Sequence, residues 1–230
     1  MRFRIAPVLA LAALAACGDD TLTVNLGTGS RLNFVNGSRQ SGSVNLFIDG
    51  ELVGTNGAGN LQRSVELAPG SHIVEVLPVT GGIGFTRTVN FSAGDNITIV
   101  AWDSVVGPNT FVRPAILLDT GAVVPAGASK LRVAHYASYE GDIDIWRTQP
   151  DFTDPVRVAF PISTGFVSSY IQSTPGNWRV MVSTAASGSN PPMPDTLANS
   201  GVIAIPDGQS RTVVVLDKAP VGLEIVVVNP

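Results

Sequence analysis

Past residue 17 the chain reads as short stretches in which apolar and polar positions alternate. Val44, Leu46 and Ile48 alternate with Ser43, Asn45 and Phe47, and Asp49-Gly50 follows as a hairpin turn signal. Val74 and Val76 alternate with Ile73 and Glu75, and Ile143 and Ile145 with Asp142, Asp144 and Trp146. Ile97 to Trp102, Thr212 to Leu216 and Ile225 to Val228 are nearly continuous runs rich in β-branched residues. Turn residues recur at sandwich-like intervals, and no stretch beyond Ala16 carries a helical period. The pattern predicts an all-β chain with about seven strands per repeated unit, in line with sandwich domains.

The strands come in two copies. Ser30 to Asn36 resembles Ser129 to His135, and Gly42 to Phe47 resembles Gly141 to Trp146, both at an offset of 99 positions. Pro69 to Val74 matches Pro175 to Val180 at an offset of 106, and Gly94 and Asp103 match Gly208 and Asp217 at 114. An offset that only grows is the mark of duplication followed by insertion. One insert falls after Trp146 and holds Asp151 and Asp154; the other lies between Ser183 and Asn199. The expected organisation is one sandwich over residues 30–120, a linker over 121–128 and a second sandwich over 129–230, each Ig-like and antiparallel.

The beginning of the chain has a different grammar. Arg2 and Arg4 precede an apolar run from Ile5 to Ala16. That run covers about 12 residues where a membrane-spanning helix needs about 20, so residues 1–16 read as a cleaved secretory signal. It ends in Leu14-Ala15-Ala16-Cys17, which resembles the bacterial lipobox. The resemblance implies that the Cys17 thiol takes a diacylglycerol, becomes the mature N-terminus and attaches the protein to a membrane. Ordinary cleavage after Ala15 is the alternative. Residues 17–29 then read as a lipidated flexible tether. Gly18, rather than Asp, follows the cysteine, which favours the outer membrane if the cell has two.

Composition narrows the function classes. Losing Arg2 and Arg4 from 14 cations, against 18 acidic residues, takes the net charge from −4 to −6. A weakly acidic body with scattered cations has no footprint for nucleic acid. Cys17 is the sole cysteine, so no disulfide framework is available and no thiol is left once it is acylated.

Arg132 to Ser138 followed by Gly141 to Trp146, and Val44 to Gly50 with Ala68 to His72 downstream, resemble the bacterial domain-of-unknown-function family 4397. Its members show a V-x-H-A-S-P-D-A-P stretch, then V-D-V-Y-V-D-G, then a P-A-G-x-Y turn and strand. Unit one has Asn36 at the family's histidine position, and unit two has Arg147-Thr148 where Asp-Gly is usual. The resemblance implies a cell-envelope, often lipid-anchored, β-sandwich module and no particular activity.

Candidate chemistry is sparse. His135 shares a strand face with Leu131 and Val133, and His72 with Val74 and Val76, so both are expected to be structural. No G-x-S-x-G or S-x-x-K frame accompanies the serines. Asp142 and Asp144 emerge on one face, with Asp151 and Asp154 nearby, but without calcium-loop spacing solvated carboxylates are the plainer reading. Trp146 shares that face, Tyr136 lies on the outward parity of its strand and Tyr139 sits in the loop between. Tyr136, Tyr139, Asp142, Asp144 and Trp146 thus form a possible ligand-binding set of the kind that stacks sugars, unless a loop or the other unit covers them. The leading expectation is a non-enzymatic envelope lipoprotein without cofactor or metal, with a structural, adhesive or accessory role and an envelope protein or glycan as partner. A carbohydrate-binding module comes second and an envelope hydrolase third.

Overall fold

The computed structural model describes residues 29–106, 109–119, 124–188 and 194–229. The leader, Cys17, nearly all of the tether, Thr120–Val123 of the inter-unit connection and Ser189–Met193 of the second insert lie outside the described residues. Every regular element among the described residues is a strand. Unit one holds β1 (Ser30–Gly37), β2 (Val44–Ile48), β3 (Glu51–Asn56), β4 (Asn60–Leu67), β5 (Gly70–Pro78), β6 (Phe85–Phe91), β7 (Asn96–Val106) and β8 (Asn109–Leu118). Unit two holds β9 (Ser129–His135), β10 (Ile143–Thr148), β11 (Val156–Ile162), β12 (Ile171–Ser173), β13 (Gly176–Thr184), β14 (Thr196–Ile205), β15 (Ser210–Asp217) and β16 (Leu223–Val228). Among the described residues each unit has eight strands rather than about seven.

The duplication extends to topology and register. Unit one forms sheets of order β4-β1-β7-β8 and β3-β2-β5-β6, and unit two repeats them as β12-β9-β15-β16 and β11-β10-β13-β14. The parallel pair Arg31↔Asn96 recurs as Lys130↔Ser210, and the antiparallel pairs Val44↔Pro78 and Gly70↔Phe91 recur as Ile143↔Thr184 and Gly176↔Ile205. These are the three offsets of the sequence repeat, so register follows the aligned apolar positions. The β2–β3 turn has positive φ at both Asp49 (52°) and Gly50 (84°), as a two-residue hairpin of primed type requires.

Each sandwich buries its own core. Leu32, Phe34, Leu46, Val74, Val76 and Ile99 meet in unit one, and Leu131, Val133, Ile143, Ile145, Val180 and Val215 in unit two. The opposite faces of the inner sheets meet in a third core, where Val35, Val100 and Leu117 of unit one pack with Ala134, Tyr136, Val214, Leu216 and Val226 of unit two. Four sheets are therefore stacked in sequence. This explains the unbroken apolar runs at Ile97 to Trp102 and Thr212 to Leu216, whose strands are covered on both faces. A buried ion pair fastens the contact. The Arg132 guanidinium donates to the Asp119 carboxylate and, at 2.9 Å, to the Leu118 carbonyl. Thr98 donates to Asp119 at 2.6 Å, and the Tyr170 ring lies 4.8 Å from the Arg132 guanidinium. Gly37 lies so close to Leu216 and the Ala101 carbonyl that an added Cβ would collide there.

Candidate functional site

The five residues singled out from the sequence fall in three surroundings: Tyr136 and Tyr139 at the contact between units, Asp142 at the surface, and Asp144 with Trp146 under a covered face. Tyr136 is buried in the contact between units, its ring 5.5 Å from that of Trp102, and burial pushes its hydroxyl up to about 12. The outward parity is correct, but the other unit covers that face. Tyr139 stays exposed at the rim of the same contact: its hydroxyl accepts from Gln40 at 2.7 Å and Arg39 stands 4.9 Å over its ring. Asp142 is exposed and accepts from the Ser163 hydroxyl at 2.6 Å.

Asp144 and Trp146 share a face, as the strand period demands, but that face is covered. Trp146 is 3% exposed and its indole N–H donates to Ser183 at 3.0 Å. Asp144 is fully buried and pairs with Arg157 at 2.7 Å, so it is no solvated carboxylate. The first residues of the second insert close over them: the Ala186 N–H donates to Asp144 at 2.8 Å, and Arg157 donates to the Ala186 and Gly188 carbonyls at 2.9 Å each. Arg157 also lies 4.0 Å over the Phe160 ring. The expected open aromatic platform is thus a sealed layer, because the insert that sets unit two apart folds onto it. Asp151 spends its carboxylate on Thr153, and among the described residues no three His, Cys, Asp or Glu side chains stand close enough to hold a metal ion.

Both histidines are engaged structurally. His135 is buried; its Nε2 lies 3.4 Å from the Gly141 carbonyl, its Nδ1 accepts from the Ala137 N–H, and burial lowers its pKa. His72 is half-buried, 2.7 Å from Asp49 and 2.9 Å from the Ala68 carbonyl. The duplicated aspartates act alike. Asp103 accepts from the Ser38 hydroxyl and the Gln40 N–H, while Asp217 accepts from the Ser138 and Tyr139 N–H groups, each pinning its unit's loop between first and second strands.

An open concavity lies elsewhere, in unit one. A cleft of about 950 Å³ runs along β6 and β8, lined by Ile83, Arg87, Trp102, Phe111, Arg113 and Ile116 among others. Sequence reasoning passed over it. The signal available was Pro114 inside an apolar strand pattern, which marks an edge strand.

The model of the family described as "Domain of unknown function (DUF4397)" matches residues 30–146, all of unit one and, in unit two, β9 and β10 as far as Trp146. The chain belongs to the DUF4397 family. Within this DUF4397 protein, the sheet order and register carry the unit through to Val228, beyond the matched segment. No curated protein matches the chain. Among solved structures, a "putative adhesin from Bacteroides ovatus" aligns at 13% identity over 88% of this chain and 93% of its own, with a TM-score of 0.24. A likeness at that score carries nothing about function.

Proposed function

We propose that this DUF4397 protein is a lipid-anchored, non-catalytic component of the bacterial cell envelope, which presents two fused sandwiches to another envelope protein in a structural, adhesive or accessory role. The observation that carries the reading is Leu14-Ala15-Ala16-Cys17 at the end of an apolar run too short to span a bilayer. The acyl chains of a processed lipoprotein hold it at a membrane, since each buried CH₂ adds about 0.8 kcal/mol. The geometry supports a non-catalytic body. Its histidines and its deeply buried Asp119, Arg132, Asp144 and Arg157 are spent on holding loops and units together.

The test is metabolic labelling of the full chain with a fatty acid. Label is expected on the native chain and absent from Cys17→Ser, which should move from the membrane fraction to the soluble one. Labelling that survives the substitution overturns the reading. In a double-membrane host, Gly18 rather than Asp after Cys17 favours the outer membrane, so the labelled protein is expected in the outer-membrane fraction.

A further inference from the structure

Unit one is open along the side that unit two closes. In β8, Ile116 and Leu118 lie opposite Ile99 and Ile97, whose side chains enter the core. Directly opposed residues of an antiparallel pair share a face. Ile116 and Leu118 therefore point to the sandwich side of the sheet, yet they are 46% and 53% exposed. In unit two the position of Ile116 is taken by Val227, opposite Val213, and both Val227 and Ile225 pack against the core. Across the opening, Arg87 takes the inward parity between Phe85 and Val89 of β6 and stands exposed. One hydrogen bond, from the Val112 N–H to the Ile83 carbonyl at 3.1 Å, pins the narrow end. Beyond it the outer edge of β8 pairs with no other strand among the described residues.

We propose that the chain's own segment Asp19–Leu26 seats in this cleft as an added strand beside β8, closing the unit-one sandwich. Leu22, Val24 and Leu26 alternate with Thr21, Thr23 and Asn25, the pattern of a strand with one apolar face, and that face answers Ile116 and Leu118. Asp19 and Asp20 supply charge complementary to Arg87 and Arg113, which line the cleft and have no ion pair among the described residues.

The reach fits. β1 is separated from β8 by β7 alone, so a position beyond β8 lies roughly 14 Å from β1 at about 4.8 Å per strand. The four steps from Ser30 back to Leu26 cover about the same distance at about 3.4 Å each. Ser30 stands at the end of the sheet where Arg31 pairs with Asn96 and Asp119 donates its N–H to the Asn96 carbonyl, beside Leu118. Starting there, the segment runs back along β8 and brings Asp19 and Asp20 to the level of Phe111 to Arg113. Backbone pairing to the edge beyond the Val112–Ile83 bond, from Pro114 to Leu118, supplies the affinity, and the apolar slot fixes the register. The inference does not depend on acylation. If both hold, Cys17 leaves the cleft close to the body rather than at the end of a long free tether.

The experiment is disulfide trapping in the full chain carrying Cys17→Ser. Ile116→Cys is combined in turn with a cysteine substitution at each position from Thr21 to Leu26. All these sites are exposed or lie outside the described strands, so folding is not at stake. Oxidation is expected to give an intramolecular disulfide whose yield alternates with period two. The best of Leu22→Cys, Val24→Cys and Leu26→Cys should exceed Thr23→Cys and Asn25→Cys by at least about fivefold, since only one strand face meets β8. The yield should fall when Arg87→Glu and Arg113→Glu are added. Equal yields along the segment, or yields no higher than with Ile73→Cys on the outer surface in place of Ile116→Cys, overturn the proposal. An intermolecular disulfide overturns it in favour of a second copy, and no disulfide at all in favour of a foreign strand.

Discussion

At the scale of single residues, His72 is held 2.7 Å from Asp49 at the β2–β3 turn. Its pKa is raised, first by the hydrogen bond to Asp49 and then by the Ala68 carbonyl; Asp49 is lowered, first by the Ile73 N–H and then by His72. A raised histidine adds stability that is complete below its ordinary value of 6.5 and is lost as pH rises through the folded value. A lowered aspartate adds stability that is complete above 3.8 and is lost as pH falls through its folded value. The pair therefore stabilises the β2–β3 turn most between those two limits. NMR titration is expected to place the His72 imidazole above 6.5 in the native protein, and lower in Asp49→Asn; an unchanged value would show that the pair is not formed.

At the scale of elements, the sequence registered each strand against its counterpart because the duplication keeps apolar positions aligned. It placed Asp144 and Trp146 on one face and Tyr136 away from its own core, as found, but not what covers them, which is chain remote in sequence: the second insert for Asp144 and the other unit for Tyr136. The insert is fastened over β10 by Arg157, whose guanidinium joins Asp144 to the Ala186 and Gly188 carbonyls and lies over the Phe160 ring. The pair is almost dry, with side chains 7% and 0% exposed. Removing one member leaves a buried charge without its partner, at a cost of roughly 3–5 kcal/mol. Arg157→Ala is expected to lose stability in that range by denaturant unfolding and to raise proteolysis in the insert. The double substitution Arg157→Met with Asp144→Leu should recover part of the loss, because it leaves no unpaired buried charge, while the Ala186 N–H and the Ala186 and Gly188 carbonyls still lose their partners. A loss below about 1 kcal/mol for Arg157→Ala would mean that the pair is solvated, since exposed pairs are worth about that or less.

At the scale of the molecule, the contact between units decides whether the protein is two beads or one body. Its apolar centre, around Val35, Val100, Ala134 and Val214, is as buried as either sandwich core. A two-sided strand such as β7 or β15 cannot expose its outer face without uncovering that centre, which couples the unfolding of each unit to the other. Denaturation of the native chain is therefore expected to be one cooperative transition. Arg132 is the residue to remove, because it spans the contact from β9 to Asp119 and the Leu118 carbonyl. In Arg132→Ala, Asp119 keeps only the Thr98 and Tyr170 hydroxyls, at 2.6 and 3.3 Å, against a buried negative charge. The loss should again be about 3–5 kcal/mol. It falls on the contact and not on either core, so calorimetry should resolve two steps, one for each unit. A single transition shifted downward as a whole would mean that the shared core, without its ion pair, still binds the units into one cooperative body.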